Sequence, residues 1–192
     1  MLTQHGLGLC GFARGARVLD VGCGAGATLA LLRDCGCDAV GLDSSMAPTP
    51  VGQNSGSSPR ICADAAHMPF ASASFDGLVM ECVLSLMASP GDVLCQCARI
   101  LKVGGRMLLT DMIAASATRQ TGNSCHERAL PQQELERLFA QAGLTLRIFE
   151  DHTPHLRELA ARLVWYGQAS RKEFCTCGTG YGLWLLEKGE TA

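Results

Sequence analysis

Asp20 stands two residues ahead of the first of three glycines, Gly22, Gly24 and Gly26, and a second acid, Asp43, follows the last of them by 17 residues. Glycines at alternate positions let the backbone turn sharply and approach a ligand, because no Cβ intervenes. Such a turn after a strand cradles a nucleotide or nucleoside at the carboxyl edge of a sheet, near a helix N-terminus. The glycines alone do not choose between ligands, since Gly22-x-Gly24-x-x-Ala27 also satisfies the dinucleotide pattern, which accepts alanine last. Asp20 separates the readings. A pyrophosphate over the turn would face its carboxylate, and like charges about 4 Å apart in a partly dry site cost on the order of a few kcal/mol. An amino group there would be attracted instead. Asp43 suits a bidentate grip on ribose hydroxyls.

The elements that must hold these residues alternate through the first two-thirds of the chain. The pattern predicts strands at Arg17–Val21, Asp38–Leu42, Arg60–Ala63 and Gly77–Glu81, with a helix over Ala27–Cys35. Apolar residues at Val93, Leu94, Cys97, Ala98 and Leu101 mark an amphipathic helix over Pro90–Leu101. Lys102-Val103-Gly104-Gly105 reads as its glycine stop, before a fifth strand at Arg106–Asp111. Helices over Pro131–Ala142 and Pro154–Tyr166 and strands at Leu144–Glu150 and Tyr181–Glu187 complete the pattern. Alternation of this kind predicts an α/β, doubly wound, mostly parallel sheet with helices on both faces. Residues 46–59 carry three prolines with glycine and serine where a crossover helix is expected, so a Pro/Gly/Ser-rich loop replaces it.

A chain of 192 residues, 47% hydrophobic, is expected to form one domain over residues 1–192. The net charge of −2 gives no footprint for nucleic acid or for an anionic membrane surface. No apolar run is long enough to span a bilayer and no secretory signal is visible, so a cytoplasmic protein is the expectation. Eleven cysteines, an odd number, argue against a disulfide framework. The pairs Cys35/Cys37, Cys95/Cys97 and Cys175/Cys177 lack the Cys-x-x-Cys spacing of a zinc ribbon, and no metal is expected.

With these motifs in order, the chain resembles the class I S-adenosylmethionine-dependent methyltransferases from Arg14 to about Glu187. Asp20-Val-Gly-Cys-Gly-Ala-Gly26 is similar to their first motif and Gly41-Leu-Asp43 to the second. Ala63-Asp64-Ala65-Ala66-His67-Met68-Pro69-Phe70 resembles the adenine-binding loop, and Leu101-Lys-Val-Gly-Gly-Arg106 the turn before the fifth strand. The resemblance implies a seven-stranded Rossmann-like sheet whose last strand is antiparallel, with S-adenosylmethionine as cofactor. It places the cofactor against Asp20, Gly22, Cys23, Gly24, Gly26, Asp43, Ser44, Asp64, Ala65 and Glu81, under a short N-terminal cover formed by residues 1–16.

The methyl acceptor is expected to be a small molecule. An oxygen or nitrogen acceptor often needs a base, for which Glu81, His126, His152 and His155 are candidates. Two cysteines suggest a different chemistry. Cys82 follows the fourth strand and Cys125 the fifth, so both loops leave the same sheet edge and the thiols can converge. This placement resembles the arsenite methyltransferase branch, in which cysteines at these two places hold trivalent arsenic. Thiolates suit a soft atom. Its lone pair attacks the methyl directly, so no base is required, and Cys10 or the Cys175/Cys177 pair would supply a third thiol. Two other classes remain open: a nicotinamide dehydrogenase, which Asp20 opposes, and a non-catalytic module that binds the cofactor.

Overall fold

The computed structural model describes residues 2–45, 58–114, 128–166 and 179–190. Their strands are β1 (Arg17–Val21), β2 (Asp38–Asp43), β3 (Arg60–Cys62), β4 (Phe75–Glu81), β5 (Leu101–Ala114), β6 (Leu130–Pro131), β7 (Leu144–Asp151) and β8 (Thr179–Lys188). They form one sheet in the order β3-β2-β1-β4-β5-β8-β7, and the two-residue β6 pairs with β5 off this path. β1 to β5 pair in parallel, whereas β8 is antiparallel to both β5 and β7. The expected doubly wound sheet with an antiparallel last strand is therefore present, with β6 as an addition. After β1 the chain winds outward to β2 and β3, then returns to β4 on β1's other side. A reversal of this kind opens a crevice at the carboxyl edge, where α/β sheets bind ligands.

β1 and β2 are short apolar runs because both faces of a central parallel strand are covered. On one face Phe75, Phe139 and Trp184, all fully buried, anchor a core cluster. On the other, Leu7, Val18, Leu32 and Leu108 form a second. The helices are α1 (Leu2–Cys10), α2 (Ala27–Asp34), α3 (Pro90–Ile100), α4 (Gln132–Gln141) and α5 (Thr153–Trp165). α3 starts with Pro90 in its first turn, where a missing N–H costs nothing, and buries Val93, Leu94, Cys97 and Ala98. Leu101 belongs to β5 instead of the helix. Gly104, at φ +72°, lies within β5 beside a register shift between Phe75 and Gly77, so the expected glycine stop is a bend in the strand.

The N-terminal segment forms a helix packed on the sheet. α1 buries Leu7 and Cys10 in the second core cluster, against β5, β8 and α2. Gly6 packs on Leu108, which a Cβ would meet at 2.7 Å, and Arg106 Nη1 donates to Cys10 O at 3.0 Å. Of the predicted loop 46–59, residues 46–57 lie outside the described residues. Pro59 O accepts a hydrogen bond from Gly41 N at 2.9 Å, tying its end to β2. Among the described residues, no helix is long and apolar enough to cross a membrane.

Candidate active site at the β1–β4 edge

The turn after β1 is latched to β2, with Gly22 N and Cys23 N both donating to Leu42 O at 2.7 and 3.1 Å. Gly22 has φ +78°, and a Cβ there would strike the Val83 side chain. Its glycine is thus required by the loop after β4 as well as by the turn. Gly24, at φ +48°, has nothing within 4 Å of where its Cβ would stand, which leaves that backbone open to a ligand. The Cys23 side chain is buried over Gly41, whose Cβ would fall 2.6 Å from the sulfur. Gly26 caps α2 without any side-chain hydrogen bond, so the first-turn N–H groups of α2 receive none from the cap.

Three carboxylates surround this turn. Asp43 Oδ2 accepts from Gly24 N at 2.8 Å, and its Oδ1 accepts from Ser45 N and Oγ at 2.9 and 3.1 Å. Partial burial pulls the Asp43 carboxyl upward, but these hydrogen bonds and the Arg60 guanidinium outweigh it and hold it below the usual range. Arg60 Nη1 itself donates to Gly24 O at 3.0 Å. Glu81, at the end of β4, accepts from Thr28 Oγ1 at 2.8 Å. Asp20 lies beneath the turn, only 3% exposed, and its Oδ2 has no hydrogen-bond partner. Burial, then the charges of Glu81 and Asp43, push its carboxyl up to about 7. A buried carboxyl oxygen without a partner, beside two further carboxylates, is an arrangement that an added cation would stabilise.

A cleft of about 500 Å³ opens above these residues. Gly22, Asp43, Ser44, Asp64, Ala65, Glu81 and Cys82 line it. Asp20, Cys23, Gly24 and Gly26, also expected at the cofactor, are not among the residues that line it. Asp64 also caps the 3-10 turn Ala65–His67, accepting from Ala66 N at 2.9 Å, so one of its oxygens is already engaged. The apolar wall of Val83, Leu86, Met87 and Ala88 escapes sequence reading, because nothing in the spacing of these residues separates wall from core. Ser85 fixes that wall through Asp111, whose carboxylate accepts from Ser85 N at 2.8 Å and Ser85 Oγ at 2.7 Å.

Cys82 adopts φ +55°, a conformation rare for a residue with a side chain and commonest at functional sites. Its Sγ lies 3.0 Å from the Tyr181 hydroxyl, and Tyr181 donates to Thr110 Oγ1 at 3.0 Å. Either the thiol or the phenol can donate across the first of these contacts. Burial, followed by Cys82, raises the Tyr181 hydroxyl well above its ordinary value, so it stays protonated. Tyr181 is 99 residues from Cys82 and no spacing rule could have found it. Cys125 and His126 lie outside the described residues, as do Cys175 and Cys177. Cys10, the other suggested third thiol, is buried in α1 and not at the cleft, and burial pushes it up to about 12. His152 and His155 stand elsewhere, lining a cavity with Leu2 and His5.

Residues 19–109 match the family model described as a methyltransferase domain. A demethylmenaquinone methyltransferase of Renibacterium salmoninarum is 33% identical over 102 residues, covering 53% of this chain and 43% of that protein. A malonyl-[acyl-carrier protein] O-methyltransferase of Herminiimonas arsenicoxydans is 32% identical over 136 residues, covering 64% of this chain and 50% of that one. The chain thus spans half or less of these two relatives. The fold is shared with geranyl diphosphate C-methyltransferase from Streptomyces coelicolor, solved with Mg²⁺, geranyl diphosphate and S-adenosyl-L-homocysteine. The TM-score is 0.79 at 17% identity, covering 97% of this chain and 78% of that one. The matched segment contains the glycine turn and, apart from Arg17 and Val18, the strands β1 to β4.

Proposed function

We propose that this methyltransferase domain transfers the methyl group of S-adenosylmethionine to a small-molecule acceptor. The observation that carries the reading is the buried, unpartnered Asp20 oxygen beside Glu81 and Asp43. S-adenosylmethionine brings an ammonium and a sulfonium, two positive centres that a triad of acids accommodates and that a pyrophosphate cofactor lacks. Asp20 balances the ammonium from beneath the turn. Asp43 and Ser44 take the ribose, where Asp43 adds to the hydrogen bonds it already accepts, and Asp64 and Ala65 flank the adenine. Gly24 presents open backbone to the methionine moiety, and the uncapped start of α2 favours its carboxylate. The bound cofactor supplies an electrophilic methyl. The acceptor's lone pair forms the new bond as the methyl–sulfur bond breaks, and that bond's electrons remain on sulfur. The chain's own part is to hold the two molecules in line behind the wall from Val83 to Ala88.

A finer reading takes the acceptor as a soft atom held by thiolate, such as trivalent arsenic. The Cys82 thiol at the cleft supports it, because the Tyr181 behind that thiol stays protonated and offers no base, and a soft lone pair needs none. The alternative is an oxygen or nitrogen acceptor served by Glu81, which the similarity to a malonyl-[acyl-carrier protein] O-methyltransferase supports. Equilibrium dialysis with labelled cofactor, followed by transfer to arsenite and to the small-molecule fraction of a cell extract, tests both levels. No binding at high micromolar cofactor removes the whole proposal. Binding without transfer to any acceptor leaves a non-catalytic module. Transfer to arsenite that survives in C82S removes the thiol-held acceptor alone.

A further inference from the structure

Away from the residues that line the cleft, the first helix and the β7–α5 corner, distant in sequence, bring histidine and carboxylate together. His5 comes from α1, Glu150 from the end of β7, and His152 and His155 from the start of α5. His5 Nε2 and His152 Nε2 each donate to the same oxygen, Glu150 Oε2, at 2.8 Å. His152 Nδ1 lies 3.4 Å from His155 Nδ1. The side chain of His152 is 13% exposed and that of Glu150 is 30% exposed, so the inner half of the cluster is sheltered. A cavity of about 460 Å³, lined by Leu2, His5, His152 and His155, opens beside it.

We propose that His5, Glu150 and His152 bind a divalent transition-metal ion, zinc above all, in an open three-ligand site. Their ligand atoms lie within 4.8 Å of one another, and two of the three separations are 2.8 Å. Zinc holds imidazole nitrogen and carboxylate oxygen at ~2.0–2.2 Å, so tetrahedral ligands stand about 3.4 Å apart. The carboxylate need only withdraw a little for the ion to take the place of the two N–H hydrogens it now receives. Two imidazoles with one carboxylate is a borderline donor set suited to zinc and poorly suited to magnesium or calcium, which prefer oxygen. The cavity leaves room for a water as the fourth ligand.

The fourth residue, His155, has a defined part. When Nε2 of His152 binds metal, its hydrogen moves to Nδ1, and His155 Nδ1, 3.4 Å away, is placed to accept it. Ligating histidines are oriented by such a partner on their other nitrogen. His155 is therefore a positioning residue. The bound ion would clip α1 to the β7–α5 corner, joining the chain's first helix to its last third.

The site is tested on the untagged full chain, stripped with chelator and titrated with cobalt(II), then zinc. The expected result is one equivalent of cobalt bound at about 10 µM or tighter, displaced by zinc bound at about 1 µM or tighter. Its visible d–d bands should be those of nitrogen and oxygen ligation, without the thiolate charge-transfer band that the cysteines would give. H5Q and E150Q should each weaken binding by more than ~10-fold, and H155A by about 10-fold, with circular dichroism unchanged. Absence of saturable cobalt binding below ~100 µM overturns the proposal and leaves a hydrogen-bonded clasp. A thiolate band, or equal affinity in H5Q, equally overturns it. His5 is half exposed, so its replacement tests the site without disturbing the core.

Discussion

In the D20N variant the ligand-free domain is expected to gain stability at pH 8 and to gain none at pH 5. The Asp20 carboxyl moves from an ordinary value of 3.8 to about 7 on folding, driven first by burial and then by Glu81 and Asp43. Between these values the folded chain keeps a proton that the unfolded chain has released, so stability falls as pH rises from about 4 to about 7. Above pH 7 the full cost is present. Three units correspond to on the order of 4 kcal/mol. Asparagine carries no charge, but its buried amide lacks partners as the acid does, which returns ~1–3 kcal/mol of the gain. The net gain at pH 8 is then about 1–3 kcal/mol, or roughly 3–10 °C in melting temperature for a domain of this size. Thermal melts of both proteins at pH 5 and pH 8, without cofactor, measure it. A melting-temperature difference that is the same at both pH values would refute the reasoning, since Asp20 would then carry no folding-linked proton.

Three further outcomes follow from the geometry. G22A should cost about 2–4 kcal/mol, from its positive φ and the collision with Val83, whereas G24A should cost only about 1–2 kcal/mol yet weaken cofactor binding more than tenfold; urea melts and dialysis separate the two. D111N removes the acceptor of both Ser85 hydrogen bonds, so the wall over the cleft loosens, and steady-state kinetics should show a raised acceptor KM with cofactor affinity within about threefold. C82G should relieve the left-handed backbone and raise stability by about 1 kcal/mol while lowering turnover, a combination that a purely structural cysteine would not give; chemical denaturation and the transfer assay test it.

The parts legible in the sequence were those written in short-range pattern. β1 and β2 follow from apolar runs buried on both faces, and the turn from glycines at 22, 24 and 26, all of which adopt positive φ. α1 was not legible, because Gly6 and Gly8 lower its intrinsic propensity and only the packing of Leu7 and Cys10 on the sheet holds it. β6 has two residues, one of them proline, and exists only through its pairing with β5. At the site, spacing placed Asp20 beside the turn but could not show that it is buried with an unpaired oxygen. Tyr181 behind Cys82 and Asp111 beneath Ser85 are products of the sheet order β4-β5-β8, which brings distant residues to one edge. The convergence of Cys82 with Cys125 lies outside the described residues.

Calorimetric titration of the domain with S-adenosylmethionine at pH 6.5, in two buffers of different ionisation heat, tests the central claim most directly. If the cofactor's cation completes the acid triad, binding drives Asp20 to ionise, and about 0.8 proton should leave per cofactor bound. Saturable binding at one site with that release is the predicted result. No binding at ~1 mM cofactor, or binding whose heat is the same in both buffers, would contradict the account.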